Sequence, residues 1–455
     1  MKPISSDTIC AIATPVGVAG VGIIRVSGQT SLDLVRTCFS KKGTFKPRYV
    51  YTGKFLSHKQ KKFIDSVCVV YFEGPSSYTG ENVVEIHCHS SIYILKAILE
   101  ELLILGARMA REGEFTKRAF INGKLDLTQA ESVIDLIHSE SEMSHHVSLA
   151  HVTGVLSDFI STIRNPIKEL LEQVEGSIDF PDEVDSINKK EVSISFSHLH
   201  KTLKTTLSYQ DLGEMVMGGI NVLIVGKPNT GKSSLFNLLL GKDRAIVSDM
   251  PGTTRDYLEA SYDFKGYRFN LFDSAGVRES SDIIEQLGID RIKSLLGTAH
   301  LVCWCIDQSD LLTEDDEKVF AAIKQHQNVI ILQTKSDLSS KIKQSDLTRF
   351  SYSNLKVSIH DKASSKVIKS LFYTNSIKES DKVNLDLLCN VRQKACLQQL
   401  EKWIEAFVID LENSIDDDLL AIDLKKGLEI CSEFTGEALT EEVLDGIFSR
   451  FCVGK

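Results

Sequence analysis

The sequence predicts a multidomain protein: an α+β N-terminal domain, a helical domain, and an α/β domain inserted into the helical one. Short β-type runs occupy the first quarter of the chain, and amphipathic helical stripes lie on both sides of its middle. Between the stripes, an apolar strand at 220–225 leads through a glycine-rich loop into a helix, the order typical of an α/β nucleotide-binding fold. We expect the three domains at 1–124, at 125–217 plus 380–455, and at 218–379.

The first quarter begins with two apolar runs, 9–13 and 21–26, joined by a turn-forming stretch. Further β-type runs follow at 67–72 and 83–86, and a helical pattern covers 92–102. This alternation predicts an α+β module, but by itself it assigns no chemistry.

Four stripes of apolar residues at helical spacing predict amphipathic helices, the first of them beginning at a capping-box pattern, Thr128 to Glu131. The stripes are Leu127, Ala130, Ile134 and Ile137; Ile160, Ile163, Ile167, Leu170 and Val174; Leu397, Leu400, Ile404, Phe407 and Leu411; and Leu444, Ile447, Phe448 and Phe451. Because each stripe needs a partner surface, pairing the first two with the last two completes one bundle and makes the middle an insertion. Independent helical hairpins at each end are the alternative.

The length of 455 residues leaves room for about three domains, and 42% hydrophobic with 25% charged residues describes an ordinary globular chain. The ten cysteines are scattered without a C-x-x-C pair, so we predict neither a disulfide framework nor a zinc site. The first residues lack a signal-peptide core, and no run approaches 18 apolar residues. We therefore expect a cytoplasmic protein without a membrane segment.

Charge is unevenly distributed along the chain. The net charge of −10 argues against indiscriminate nucleic-acid binding, but residues 1–124 carry 17 Lys and Arg against 10 Asp and Glu. A polyanionic partner is therefore better received by the first quarter, although a solvated mixed surface would give the same count.

The run Gly226-Lys227-Pro228-Asn229-Thr230-Gly231-Lys232-Ser233-Ser234 fits the phosphate-binding pattern G-x-x-x-x-G-K-[ST]. Its glycines let backbone N–H groups approach phosphate oxygens, Lys232 reaches the β- and γ-phosphates, and the Ser233 hydroxyl is placed to bind Mg²⁺.

Three more nucleotide motifs follow in order. Thr254, in Gly252-Thr253-Thr254-Arg255-Asp256, is the expected second Mg²⁺ ligand. Asp273, in Asp273-Ser274-Ala275-Gly276, would hold Mg²⁺ through water, and the Gly276 N–H would contact the γ-phosphate. Asp337, in Thr334-Lys335-Ser336-Asp337, is the expected guanine reader, since one carboxylate accepts both N–H groups on that edge. Four ordered motifs predict a GTPase.

Three N-terminal stretches, 13–28, 77–82 and 113–127, and the final Cys452-Val453-Gly454-Lys455 closely resemble the MnmE/TrmE family of tRNA-modifying GTPases. Together with the nucleotide motifs, the resemblance covers essentially the whole chain. It implies a folate-binding, dimer-forming N-terminal domain, a helical domain, and an inserted Ras-like P-loop G domain.

The resemblance also implies site residues. Arg25, Glu81, Lys124 and Lys455 match positions that the family uses to hold a tetrahydrofolate derivative, in 5-formyl or 5,10-methylene form. Cations and a carboxylate suit a ligand with a glutamate tail and a hydrogen-bonding pterin. Cys452 is implied as a modification-site residue, and Glu285 as a catalytic glutamate of the second switch segment.

Val277 stands where Ras-like proteins carry the glutamine that orients water, and an apolar side chain cannot do this. The resemblance implies K⁺ instead, bound by Asn229, Ser248, Met250 and Thr253. The implied GTP contacts are Asn229, Thr230, Gly231, Lys232, Ser233, Ser234, Ser248, Asp249, Met250, Pro251, Gly252, Thr253, Thr254, Asp273, Ser274, Ala275, Gly276, Thr334, Lys335, Ser336, Asp337 and Ser358.

The activity implied by the resemblance is K⁺-dependent GTP hydrolysis by a homodimer that works with an FAD-dependent MnmG-type partner in a heterotetramer. The complex would install an aminomethyl or carboxymethylaminomethyl group at C5 of the wobble uridine of certain tRNAs, using a tetrahydrofolate one-carbon unit. The rival is a GTPase switch that binds RNA or ribosomes and modifies nothing. The folate-type motifs and Cys452 discriminate against that rival.

The sequence departs from the family pattern at four places. Val18 replaces an arginine, Cys88-His89-Ser90-Ser91 replaces Gly-His-Gly-Gly, Thr334 replaces an asparagine, and Ser358-Ile359-His360 replaces Ser-Ala-Lys. His87 and His89 share one face of a strand without further ligands in the sequence nearby, so we expect structural or pocket-lining roles for them.

Overall fold

The structure is a computed structural model that describes residues 7–180, 187–241, 260–273, 295–377, 383–413, 416–451 and 453–454. The chain divides into two compact units, one formed by 1–137, 149–200 and 396–455, and the other by 138–148 and 201–395. Within the described ranges, every helix is too short or too polar to cross a membrane.

A six-stranded sheet forms the N-terminal part of the first unit. In spatial order its strands are β3 (Val50–Leu56), β4 (Phe63–Phe72), β5 (Val83–Ser90), β2 (Ala19–Ser27), β1 (Ile9–Ile12) and β6 (Arg108–Met109). All neighbouring strands are antiparallel except β1 and β6, which are parallel. The α+β prediction is confirmed. The predicted runs did not include β3, because exposed and half-buried residues alternate along most of that strand and Thr52, Gly53 and Lys54 interrupt any apolar run.

Helices α1 (Ser31–Cys38) and α2 (Ile92–Ile104) pack on this sheet, and α3 (Glu114–Ile121) follows it. The core between sheet and helices includes Ile24, Phe55, Ile86, Leu95 and Ile98, all fully buried. Burial of side chains of this kind contributes about 1.5–3 kcal/mol each.

In the described parts of the chain before and after the insertion there are seven further helices: α4 (Leu127–His138), α5 (Glu142–Val152), α6 (Val155–Asp179), α7 (Lys189–Leu207), α13 (Val391–Glu412), α14 (Asp417–Thr435) and α15 (Glu441–Phe448). The predicted stripes on α6 and α13 are at most 5% exposed. In the first stripe Ile137 differs from the prediction, since it is 44% exposed at the end of α4.

Helices from before and after the insertion pack together in the first unit. Arg164 of α6 forms a 2.8 Å ion pair with Glu437, just past α14. The ring of Phe196 on α7 lies 4.7 Å from that of Phe407 on α13. A Cβ added to Gly436 would lie only 2.6 Å from Leu127 Cβ. The predicted bundle with an inserted domain is therefore confirmed, and independent hairpins are excluded.

The second unit contains a six-stranded sheet with the order β12 (Ser353–Lys356), β11 (Val329–Thr334), β10 (Leu301–Asp307), β7 (Ile220–Val225), β9 (Tyr267–Asp273) and β8 (Ala260–Phe264). Its strands are parallel except for β8, which runs antiparallel to β9. Its helices are α8 (Asp211–Gly218), α9 (Lys232–Leu240), α10 (Glu314–Ile323), α11 (Gln344–Thr348) and α12 (Lys362–Ser376). Parallel strands buried on both faces explain the apolar runs of β7, β10 and β11.

Candidate functional site

The phosphate loop connects β7 to α9, as the sequence predicted. Gly226 has a φ of 152°, and a Cβ there would lie 2.5 Å from the Cys305 carbonyl oxygen. Gly231 has a φ of 89°, and Asn229, with a φ of 64°, is of a residue type that tolerates this conformation. The loop shape therefore depends on these residue types.

Lys232 opens α9 and reaches back over the loop. Its Nζ donates to the carbonyl oxygens of Gly226 and Lys227, both at 2.8 Å. Burial lowers the pKa of Lys232, and the nearby Asp273 carboxylate partly opposes this shift. Asp273 ends β9, beside β7, and is 5% exposed, while Ser233 is exposed at the start of α9. An ammonium group and backbone amides suit phosphate oxygens, and an exposed hydroxyl with a carboxylate suits Mg²⁺.

Thr334 connects the base motif to the phosphate loop. Its hydroxyl lies 2.7 Å from the Thr230 carbonyl oxygen and 3.2 Å from that of Ile306, and the side chain is buried. The residue that departs from the family asparagine thus still holds two segments of the site together.

Asp337 is exposed beside Ser358. The Ser358 hydroxyl donates to Asp337 Oδ1 at 2.6 Å, and this hydrogen bond lowers the pKa of Asp337. The Ser336 N–H donates to the Val357 carbonyl at 3.1 Å. The structure therefore brings the predicted base reader and the predicted Ser358 contact together, with the carboxylate ready to accept N–H groups.

Sequence reasoning missed two residues that position Lys335. Asp307, at the end of β10, pairs with the Lys335 ammonium group, and the Gln308 amide donates to the Lys335 carbonyl at 3.4 Å. Burial would raise the pKa of Asp307, but hydrogen bonds from Lys335 and Ser309 outweigh it and lower the pKa. The sequence feature that indicates Asp307 is its position as a carboxylate at the end of an apolar strand, 301–306.

The phosphate-loop pattern assigns no role to the side chain of Lys227. Its Nζ lies 3.0 Å from Asp316 Oδ2 and 3.6 Å from Asp310 Oδ2. These pairs attach the phosphate loop to the segment that begins α10.

Several predicted residues lie outside the described part of the chain: Ser248, Asp249, Met250, Pro251, Gly252, Thr253, Thr254, Ser274, Ala275, Gly276, Val277, Glu285, Cys452 and Lys455.

A second polar site lies on the N-terminal sheet around Arg25. The Arg25 guanidinium donates to Glu85 Oε1 from Nε at 3.0 Å and from Nη2 at 2.8 Å. Its Cζ lies 5.5 Å from the ring centroid of Tyr78 and 5.8 Å from that of Phe115. The Arg25 side chain is 16% exposed, so its charge sits in a pocket lined by aromatic rings and a carboxylate.

Glu81 lies beside this pocket. It accepts from the Ser27 hydroxyl at 2.7 Å and from Arg118 Nη1 at 3.1 Å. Arg118 is buried and also pairs with Asp7 and Glu114. Burial opposes the charged form of Arg118, but Glu81 and Glu114 outweigh it and raise the pKa. Sequence reasoning missed Glu85 and Arg118, because their partners come from distant positions in the chain.

Lys124 is exposed, and its backbone N–H donates to the Ala119 carbonyl. A Cβ at Gly80 would lie 3.4 Å from Lys124 Cγ, which places the lysine stem beside the turn that carries Glu81.

The last described residues reach the same pocket. Val453 forms an antiparallel bridge with Glu112, and a Cβ at Gly454 would lie 2.5 Å from the Ile12 carbonyl oxygen. The Gly454 carbonyl accepts from Arg25 Nη1 at 3.4 Å. Gly454, which precedes Lys455, therefore contacts Arg25, while Val453, which follows Cys452, is bridged to Glu112.

The two histidines of β5 have carboxylate neighbours. His87 Nε2 lies 3.4 Å from Glu85, and His89 Nδ1 lies 2.8 Å from Asp65. Among the described residues, the group able to hold a metal ion is His200, Glu401 and Glu405 on α7 and α13, not these histidines.

Comparison with known proteins gives full-length matches. The family profile described as the N-terminus of the GTP-binding protein TrmE matches residues 8–124, and the MnmE helical domain profile matches 127–452. The tRNA modification GTPase MnmE of Thermotoga sp. (strain RQ2) is 37% identical over 453 residues, covering 99% of this chain and 100% of that protein. The chain belongs to the MnmE family. A further MnmE, from Alkaliphilus oremlandii, is 36% identical and covers 99% of both chains.

Solved structures resemble part of this MnmE-family chain. The G domain of the T. maritima FeoB iron transporter is 26% identical and covers 35% of this chain and 99% of its own, with a TM-score of 0.28. Aquifex aeolicus Era bound to GDP and AlF4⁻ is 22% identical and covers 40% of this chain and 66% of its own, with a TM-score of 0.27. TM-scores this low carry no argument about function.

Proposed function

We propose that this GTPase modifies C5 of the wobble uridine of certain tRNAs, to an aminomethyl or carboxymethylaminomethyl form, with a tetrahydrofolate one-carbon unit. It acts in the cytoplasm as a homodimer, within a heterotetramer with an FAD-dependent MnmG-type protein. GTP hydrolysis itself follows from membership of a family of tRNA modification GTPases. We also propose the three-domain division at 124/125, 217/218 and 379/380, in which the α/β domain interrupts the helical one.

The observation that carries this proposal is the Arg25 pocket. A guanidinium can pair with a folate carboxylate, the Tyr78 and Phe115 rings offer flat apolar surfaces, and Glu85 can accept from a pterin N–H group. Glu81 and Lys124 border the same region. A pure GTPase switch has no use for such a pocket outside its nucleotide domain.

The nucleotide site supplies the residues that we propose bind the metal ions and phosphates during GTP hydrolysis. Ser233 and Asp273 would hold Mg²⁺, with Thr254 as a further ligand, and Lys232 would hold the phosphates. Asn229 is exposed at the loop and would share K⁺ with the segment 248–253. Bound cations of this kind neutralise the charge that develops on the transferred phosphate.

The decisive experiment is nucleoside analysis of total tRNA from a deletion strain that carries the wild-type gene or none. We expect the C5-modified wobble uridine only with the gene. An unchanged nucleoside profile would favour the rival, an RNA- or ribosome-binding switch.

The Arg25 pocket is tested separately with Arg25→Ala and Lys124→Ala. A charge-assisted contact is worth roughly 1.5–3 kcal/mol, so we expect weaker binding of 5-formyl-tetrahydrofolate and loss of the modification with GTP hydrolysis retained. Arg164→Ala, which removes an arginine from the helical region, is the matched control. Wild-type folate affinity in both pocket variants would remove these residues from the site.

A further inference from the structure

The edge of the N-terminal sheet carries a concentrated positive charge. Segment 40–63, which contains β3 and the turn into β4, has eight Lys and Arg residues and no Asp or Glu. All eight side chains are exposed. We call this segment the basic edge. It stands out in a chain whose net charge is −10.

The described structure pairs none of these eight side chains with a carboxylate within 4.0 Å. Three acids of the same domain outside the segment have other partners: Asp33 pairs with Arg36 at 3.6 Å, Asp65 with His89 at 2.8 Å, and Glu101 accepts from the His58 N–H at 2.8 Å. Ordinary protein surfaces intersperse the two signs of charge. An unneutralised group of this size creates a potential that attracts polyanions.

The basic edge is held in a defined shape. The Ser40 N–H donates to the Lys54 carbonyl and the Lys54 N–H to the Ser40 hydroxyl, both at 2.9 Å. The Lys46 N–H donates to the Tyr51 hydroxyl at 2.8 Å. The edge strand β3 spans seven residues, about 20 Å, and carries Lys54 itself. The other seven cations lie in the segments directly before and after it, 41–48 and 59–62.

Aromatic rings lie among the charges. Lys41 Nζ lies 4.5 Å from the centroid of Tyr51, and Lys54 Nζ 5.9 Å from that of Phe63. Tyr49 is 60% and Phe63 53% exposed. Cations for phosphates combined with exposed rings for unpaired bases are typical of surfaces that bind RNA.

We infer that the basic edge binds the phosphate backbone of the tRNA substrate, with Tyr49 and Phe63 available to stack on unpaired bases. The choice of tRNA among polyanions rests on the proposed function. A membrane with anionic lipids is the competing partner, but exposed rings interleaved with charges within one segment favour a nucleic acid.

The test uses the full chain and a fluorescently labelled, unmodified tRNA transcript, with anisotropy measured over a range of KCl concentrations. Lys41→Gln/Lys54→Gln/Lys61→Gln removes three positive charges from the basic edge. We expect at least tenfold weaker binding and a salt slope reduced by about two to three, since each phosphate contact contributes roughly 0.7–0.9 to it.

Lys168→Gln/Lys425→Gln/Lys426→Gln is the matched control, because it changes the net charge equally at exposed lysines of α6 and α14. We expect this control to bind tRNA like the wild type. Tyr49→Ser/Phe63→Ser should weaken binding without changing the salt slope.

Equal affinity of the basic-edge variant and the wild type would overturn the inference, as would a wild-type protein that binds phosphatidylserine vesicles but not tRNA. Failure of the proposed function gives a different result. The tRNA nucleosides of the deletion strain would then match those of the strain with the gene, while the anisotropy titration would still show tRNA binding by the basic edge.

Discussion

At the scale of single residues, Thr334 stands where the family pattern has an asparagine, and it contacts the phosphate loop. Its buried hydroxyl donates to the Thr230 carbonyl, so it supports the phosphate loop. Thr334→Val keeps the shape of the side chain but leaves that carbonyl without this donor, which costs about 1–3 kcal/mol. We expect roughly tenfold weaker binding of both GTP and GDP in nucleotide titrations. Thr348→Val, which removes an exposed hydroxyl, should bind normally. Unchanged affinity in Thr334→Val would show that the contact is dispensable.

Asp337 is the residue that we propose reads the base. In Asp337→Asn the amide keeps one acceptor and offers a donor where a xanthine carbonyl would lie, so preference should move from GTP to xanthosine triphosphate. Competition between the two nucleotides measures the change. A variant with undiminished GTP affinity and no binding of xanthosine triphosphate would disprove the assignment of Asp337 as base reader.

Asn229 offers a test of the monovalent cation. Replacing KCl by NaCl at constant ionic strength should sharply reduce turnover, because an ion in the place of an arginine finger is expected to match its effect of roughly 10³–10⁵ in rate. Asn229→Ala should bind GTP but lose the K⁺ stimulation. Asn237→Ala, exposed on α9, serves as the control. Equal rates in K⁺ and Na⁺ would reopen the search for an arginine from another protein.

Local motifs in the sequence are enough to propose roles for residues such as Lys232 and Asp337. Sequence reasoning missed residues whose role depends on a partner far along the chain. Arg118 is buried only because Asp7 and Glu81 neutralise it, and Glu85 faces Arg25 through the register of β2 and β5. No spacing rule in a single sequence contains that register.

At the scale of elements, the start of α4 corrects a prediction. The helix begins at Leu127. Its first turn is capped by the side chain of Asp126 rather than by that of Thr128. Asp126 Oδ1 accepts from the Gln129 N–H at 2.9 Å, and Gln129 Oε1 accepts from the Asp126 N–H at 3.1 Å. Asp126 and Gln129 therefore form the reciprocal pair of a capping box earlier in the chain than predicted, and Leu127 is fully buried inside the first turn.

The same helix carries Asp135, for which we predict a pH effect on stability. Burial, followed by the charge of Glu131, raises the pKa of Asp135 from 3.8 to about 7. Between these pH values the folded state keeps a proton that the unfolded state releases, so stability is lost as the pH rises through this window. Asp135→Asn removes that dependence, and its melting temperature should exceed that of the wild type at pH 8 but not at pH 4.

Thermal melts at the two pH values check this expectation. Asp158→Asn, at an exposed position on α6, is the control and should show no such gain at pH 8. If Asp135→Asn changed the melting temperature equally at both pH values, the acid would not be protonated in the folded state.

At the scale of the whole molecule, the stripes predicted the inserted arrangement because each half-buried surface requires a partner. The grouping into two compact units was not predictable, since it depends on which helices bury the most surface against each other. The uneven charge is visible in the sequence as a count. The structure adds that eight of the 17 cations of residues 1–124 belong to the edge strand β3 and the segments that flank it in the chain.

The pairing of α6 with α14 has a consequence for synthesis on the ribosome. About 240 residues separate the end of α6 from the start of α14. At roughly 5–20 residues per second, the apolar stripe of α6 waits about 10–50 seconds for its partner. The second unit ends at residue 395, before α14 begins, so it emerges complete before the first unit can close. The nascent chain therefore exposes Ile160, Ile163 and Ile167 to chaperones for most of translation, and a truncated product would keep them exposed.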